Sequence, residues 1–326
     1  MFLTRKQYVP LKTSILNPIK LLILLIFMAQ SCAQHDMKIT VSDIVKIEKI
    51  PSGSGIIKSG NMYYVIGDDS PFLFSLNKEF KTIAKTRLLD SVQFSDERII
   101  KSIKPDFEAL EMVGEHEAVV FGSGSRSPQR NVFMRILLKD SFSIETYDIS
   151  GFYENLRHFP ILHDSELNIE ATAFHNNQIF LFNRKKNLVI RFEYNELLAY
   201  LRGETAFPKP EIKSFALPTI NGIEAGFSGA TALKGEAKII FTASVENTNN
   251  AYDDGDILGS FIGMIDISNN NISDDFNYCE IPNTETHLKV ESVTVEKETA
   301  SGKTEVILIT DDDKGNSIIL KGMLLW

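Results

Sequence analysis

The sequence predicts an all-β chain folded as a five-bladed β-propeller, one domain whose N-terminal strand closes the last blade. The first observation is a phrase of an acidic or hydroxyl residue, a small residue and apolar ones that recurs about every sixty residues. Its copies are Ser54-Gly55-Ile56-Ile57, Glu108-Ala109-Leu110, Glu170-Ala171-Thr172-Ala173-Phe174, Ser228-Gly229-Ala230-Thr231-Ala232-Leu233 and Glu291-Ser292-Val293. The second is the β-rich run after each copy, which ends in polar residues: Tyr63-Tyr64-Val65-Ile66 before Asp68-Asp69 is the first, and Ile307-Leu308-Ile309 before Asp311-Asp312-Asp313 the last. The third is composition: 43% hydrophobic and 24% charged residues supply an ordinary core, and 22 Phe with nine Tyr suit pleated, interleaved sheets. A long fixed period with several strands per unit means blades around an axis, and five copies mean five blades.

Each unit reads as four strands. Blade one runs from Ser54 through Phe72-Leu73-Phe74 to Thr82-Ile83-Ala84, and blade two from Phe107 through Val132-Phe133-Met134 to Ile144-Glu145-Thr146-Tyr147. Blade three begins near Asn168, includes Leu188-Val189-Ile190-Arg191-Phe192, carries a short helix over residues 195–201 and ends near Phe215. Blade four spans Ser228 to Tyr278-Cys279; blade five starts at Lys289 and lacks a fourth strand. Residues 39–48 contain an unassigned strand at the other end of the chain, and pairing the two closes the ring.

Residues 1–31 read as a lipoprotein-type signal peptide. Arg5, Lys6, Lys12 and Lys20 precede a short apolar run, and Ala29-Gln30-Ser31 leads into Cys32, the expected lipidated residue. Residues 32–38 are a tether and 39–326 the propeller. The expectation is export and anchoring to a membrane through lipid alone, because the apolar run is too short to span. Without residues 1–31 the chain has 30 Lys+Arg against 43 Asp+Glu, a net charge of −13. That balance repels phosphate backbones and excludes nucleic acid as a partner. Only Cys279 then remains as a thiol, which excludes an internal disulfide and a cysteine metal site; it reads as a buried strand residue.

In a propeller the first strand of each blade lines the axis, so Ser54, Glu108, Glu170, Ser228 and Glu291 converge at one level. Carboxylates about 5 Å apart repel by about 3 kcal/mol per pair at an effective dielectric of about 20. Either some are protonated or a cation sits among them. Oxygen donors without His or Cys favour Ca²⁺. The ends of the second strands bring Asp68, Arg126, Arg184, Glu246 and Asp311 to one rim above that level, as candidate groups for chemistry on a phosphorylated or other anionic small molecule. The loop of residues 122–130 reads either as an anion nest or as an ordinary hairpin turn. Asp253-Asp254-Gly255-Asp256 lacks the full calcium-loop pattern and reads as a solvated acidic loop. His175 reads as structural, and no GxSxG elbow is present.

The phrases around Ser54, Phe107-Glu108-Ala109, Ile169-Glu170-Ala171, Gly226-Phe227-Ser228 and Val290-Glu291-Ser292 resemble those of the soluble calcium-activated nucleotidases, or apyrases. That resemblance implies an axial calcium held by Ser, Glu, Glu, Ser and Glu, and phosphoanhydride or phosphoester hydrolysis. At the rim the pattern departs: Ser70 stands where the family has an arginine, and Ser244 where it has a lysine, although Arg184 and Glu246 match. Pro105-Asp106-Phe107-Glu108-Ala109 and Gly122-Ser123-Gly124-Ser125 resemble uncharacterised bacterial propeller lipoproteins more closely, which implies no activity. The function expected is therefore a calcium-dependent phosphohydrolase or, alternatively, a non-catalytic surface propeller that binds a ligand or another protein.

Overall fold

The computed structural model describes residues 37–326 apart from 91, 96, 140, 141, 248–254, 269, 270, 285 and 312–315. The leader, Cys32, Asp253, Asp254, Asp312 and Asp313 lie outside the described residues.

Five four-stranded antiparallel sheets form the blades, preceded by β1 (Lys38–Ile47). Blade one is β2 (Gly53–Ser59), β3 (Met62–Gly67), β4 (Phe72–Leu76) and β5 (Thr82–Arg87). A hairpin of β6 (Phe94–Ser95) and β7 (Arg98–Ile99) leads to blade two: β8 (Phe107–Met112), β9 (Glu117–Gly122), β10 (Val132–Leu137) and β11 (Ser143–Asp148). Blade three is β12 (Ile169–His175), β13 (Gln178–Asn183), β14 (Leu188–Glu193) and β15 (Glu211–Ser214). After the hairpin β16 (Thr219–Ile220) and β17 (Ile223–Glu224), blade four holds β18 (Gly226–Ala232), β19 (Lys238–Asn247), β20 (Asp256–Asp266) and β21 (Phe276–Glu280). Blade five holds β22 (Lys289–Ala300), β23 (Lys303–Asp311) and β24 (Ser317–Leu325).

The expected closure is present. β1 is the outer strand of blade five, in the order β1-β24-β23-β22, with Lys38 opposite Leu325 and Ile47 opposite Ser317. Among the described residues the other side of β1 pairs with no strand, so closure joins β1 to β24 without removing every edge. Exposed Lys38, Asp43 and Lys46, and a bulge between Val41 and Asp43, blunt that edge against association.

The core is divided among the five junctions between neighbouring blades, because a strand sends alternate side chains to opposite faces. Ile56 packs toward blade five with Val65 and Ile309, whereas its neighbour Ile57 packs toward blade two with Leu110 and Val120. On β13, Ile179 and Leu181 join the cluster with blade two, and Phe180 and Phe182 the cluster with blade four. Every blade is thus apolar on both faces, and each buried Phe or Ile contributes about 1.5–3 kcal/mol relative to exposure.

Two features depart from the sequence reading. The helix expected at 195–201 forms, over Tyr194–Leu201, but another spans Ser150–Arg157 and a 3-10 turn follows at Pro160–Leu162. Phe152, Tyr153 and Leu156 put one apolar stripe of that two-turn helix into the junction of blades two and three. Cys279 lies on β21 as expected but is only half-buried; burial pushes its thiol up to about 11.

A candidate cation site at the axial mouth

The five residues singled out by the repeat occupy one structural position. Each inner strand breaks register at the same place: between Gly53 and Gly55, Phe107 and Ala109, Ile169 and Ala171, Phe227 and Gly229, and Val290 and Ser292. The residues skipped are Ser54, Glu108, Glu170, Ser228 and Glu291. A bulge leaves one residue out of the ladder and re-aims its side chain. The inner strands β2, β8, β12, β18 and β22 each pack against the next and close a ring.

The two serines act between blades. Ser54 Oγ donates to the carbonyl of Phe107, and Ser228 Oγ to that of Val290 at 2.6 Å. Each hydroxyl thereby spends its proton on the residue before the next blade's glutamate and keeps lone pairs as an acceptor.

The three glutamates differ in their partners. Asn168 Nδ2 donates to Glu170 Oε1 at 2.5 Å, and Arg184 approaches Glu170 Oε2 at 3.4 Å while reaching Glu246 at 3.1 Å. Lys289 pairs with Glu291 at 3.0 Å and lies 3.8 Å from Glu246. Glu108 is half-buried and, among the described residues, receives no hydrogen bond or ion pair. Its close neighbours are Asp68 and Asp106, whose carboxylate oxygens and its own lie within 4.8 Å of one another. Among the described residues this trio, rather than Glu108, Glu170 and Glu291, is the one whose oxygens come that close; Arg184 links Glu170 to Glu246, and Lys289 links Glu291 to it.

Lys104 stands beside the acidic trio: its ammonium bonds Asp68 and sits 2.7 Å from Asp106 Oδ1. Asp106 has φ 55° and is the hub of this side. It also accepts from Arg130 and, at 2.6 Å, from Ser123. Tyr153 OH donates to Gly122 O at 2.6 Å and Arg157 to Gly124 O at 2.5 Å, so the unexpected helix braces the loop that supplies Ser123 and Arg130. This loop is pinned onto the Asp106 carboxylate through Ser123 and Arg130, and Arg126 lies exposed on it. Arg98, from the β6–β7 hairpin, holds Asp69 at 2.6 Å and feels the charges of Asp68 and Asp311.

Electrostatics follow from this crowding. Burial first, then the charges of Glu170, Asp106 and Asp68, push the Glu108 carboxyl well above the ordinary carboxylate range. Burial also raises Glu170, to about 7, with Glu291 adding to the rise and Arg184 opposing it. Lys104 and Lys289 stay charged despite burial because carboxylates surround them. The eight carboxylates of Asp68, Asp69, Asp106, Glu108, Glu170, Glu246, Glu291 and Asp311 face five cations, Arg98, Lys104, Arg130, Arg184 and Lys289. With every group ionised the mouth carries an excess of negative charge, which suits a cation.

Of the rim residues expected from sequence, Asp68, Arg184, Glu246 and Asp311 belong to this network and Arg126 does not. Sequence reasoning missed Lys104, Asp106, Asn168 and Lys289, and reached Arg130 only as part of the 122–130 loop. A signal existed: Asp106, Asn168 and Lys289 each stand two residues before an axial glutamate. His175 Nδ1 lies 3.2 Å from Leu233 O, a structural contact between blades.

Several solved structures are similar to this chain. That of Myxococcus xanthus glutaminyl cyclase aligns with a TM-score of 0.52 at 9% identity, covering 88% of this chain and 96% of that one. The PQQ-bound aldose sugar dehydrogenase of Streptomyces coelicolor gives 0.47 at 12%, covering 89% and 98%. A Cellvibrio cellulosa alpha-L-arabinanase mutant gives 0.45 at 12%, covering 85% and 92%. At 9% identity the likeness to the cyclase is one of fold alone. No curated protein matches the sequence. A family model matches residues 49–324, and the chain belongs to that family, the family of unknown function DUF6929.

Proposed function

We propose that the protein is an exported, lipid-anchored β-propeller that binds Ca²⁺ at its axial mouth and uses the mouth to bind a ligand. The observation that carries this reading is Glu108, a carboxylate in the channel with no hydrogen bond or ion pair among the described residues and with three like charges around it that outnumber the opposing Lys104. Glu108, Glu170 and Glu291 would hold the ion, with Asp68 and Asp106 near Glu108 and the oxygens of Ser54 and Ser228 completing the ring. The donors are all oxygen, as a hard cation requires. The resemblance to calcium-activated nucleotidases supports the same ion.

Hydrolysis of a phosphorylated substrate is the second reading, with Ca²⁺ polarising a phosphate as a Lewis acid. The mouth favours binding over it, since Arg184, the guanidinium best placed for a phosphate, is committed to Glu170 and Glu246. A ligand or surface protein that approaches through the bound cation fits the charge better.

Calcium titration followed by calorimetry tests the site. The parent should bind Ca²⁺, and Glu108→Gln should weaken binding at least about tenfold, the loss of one charged ligand being worth about 1.4 kcal/mol or more. Parent-like affinity in Glu108→Gln removes the site. The pH dependence has a defined sign in chelator. Glu170 binds its proton more tightly folded than unfolded, so stability is fullest below its ordinary value of 4.5 and declines as pH rises toward about 7. Calcium should flatten that decline, and melting curves that rise across this window would contradict it.

Export has its own test. Cys32→Ser should move the protein from the membrane to the soluble fraction, and an unchanged membrane fraction would end the lipid-anchor claim.

A further inference from the structure

Below the mouth, the channel contains a buried carboxyl that no part of the mouth network reaches. Glu111 is 6% exposed, and its Oε2 is buried without a hydrogen-bond partner among the described residues. Its Oε1 accepts from the amide of Met112 at 2.7 Å. The Val113 amide donates to Glu117 O on β9, so the preceding amide, Met112, points to the opposite edge of β8. β8 is the innermost strand of its blade, and that edge faces the axis.

A second neighbour agrees with this position. β18 comes close to β8, and the Thr231 hydroxyl favours the charged form of the Glu111 carboxyl, yet Thr231 belongs to blade four and Glu111 to blade two. Blade three stands between those blades around the ring, so the two side chains meet across the channel. Glu111 follows the bulge residue Glu108 by three positions, about 10 Å along a strand at about 3.3 Å per residue. The equivalent positions in the other blades are Ile57, Ala173, Thr231 and Thr294; Thr294 is also buried.

We infer that this lower level is a second cation site, for a monovalent alkali ion, with the Glu111 carboxylate as its charged ligand and the Thr231 hydroxyl beside it. An orphaned buried carboxylate oxygen calls for an ion or an ordered water. One carboxylate balances one positive charge, whereas a divalent ion would leave a charge uncompensated in a buried place. The donors are oxygens only, which suits a hard cation. Burial holds this carboxyl up to about 8 in the absence of an ion, with the Met112 amide, Thr231 and Lys234 opposing the rise. A bound cation would supply the charge those neighbours do not.

The site stands apart from the calcium proposed at the mouth, and one experiment separates them. Melting is followed in chelator, above the titration of Glu111, in NaCl, KCl or choline chloride at equal ionic strength. The parent should melt about 3 °C higher in the better alkali salt once that ion is tenfold above its Kd. Glu111→Gln should melt alike in all three salts, and Glu108→Gln should keep the parent's difference. If Glu111→Gln does not fold, Thr231→Val decides, and it should reduce the difference. A parent that melts alike in all three salts holds a buried water only, and the inference fails. It fails equally if Glu111→Gln, or in its place Thr231→Val, retains the full alkali effect.

Discussion

Asp106→Ala is expected to lower stability by about 3–5 kcal/mol, the range for stripping one partner from a buried ion pair. Arg130 is 4% exposed and Lys104 9%, so neither can turn to water when the carboxylate is lost. Ser123 would lose its acceptor as well. The φ of 55° adds a backbone cost, since alanine tolerates the left-handed region less well than aspartate. Asp106→Asn keeps the shape and the backbone preference but not the charge, and should fall between. Denaturant unfolding at neutral pH measures all three proteins. A loss below about 1 kcal/mol for Asp106→Ala would mean that Lys104 and Arg130 find other partners, and that Asp106 does not organise the mouth.

Removing residues 37–47 should have the larger effect. Ile39 and Ile47 are each 4% exposed on β1, and each burial is worth about 1.5–3 kcal/mol. Their loss also strips the ladder from β24 and uncovers Leu320 and Leu324, both fully buried. Together these terms reach much of a single domain's total stability of about 5–15 kcal/mol. The truncated chain should therefore be unfolded or aggregated at temperatures where the parent is folded. Adding the missing strand as a synthetic peptide should recover part of the melting transition. A truncated chain that stays monomeric and melts like the parent would show that blade five stands on three strands.

The blade count, the ring closure and the five axial positions were legible in the sequence for one reason. A bulge needs a residue outside the ladder, flanked by small and apolar ones inside it, and that requirement stamps the same short phrase on each blade. The ends of the blades were less legible because a two-residue hairpin such as β6–β7 leaves no periodic pattern. The helix at Ser150–Arg157 was missed for a related reason: two turns offer only Phe152, Tyr153 and Leu156 as an apolar stripe, which also reads as strand. At the mouth, the acids were found and their counter-ions were not. Lys104 and Lys289 look like surface lysines in sequence, and only the fold shows that their ammonium groups are buried among carboxylates. Arg126 and Arg130 sit four residues apart in one loop, and nothing local distinguishes the exposed one from the one under Asp106.

The bulges carry a consequence for how the family could change. A residue outside the ladder contributes no rung, so its identity is not constrained by strand pairing. Positions 54, 108, 170, 228 and 291 already hold two different side chains on one geometry. Scaffold and chemistry are therefore separable at these five places, and a lineage could exchange serine for glutamate, or either for histidine, one blade at a time. Each exchange would retune which ion or ligand the channel accepts while the strand ladders stay as they are, although an exchange at Ser54 or Ser228 also gives up that hydroxyl's bond to the next blade. The glutamates feel one another's charge, so a setting made on one blade shifts the others.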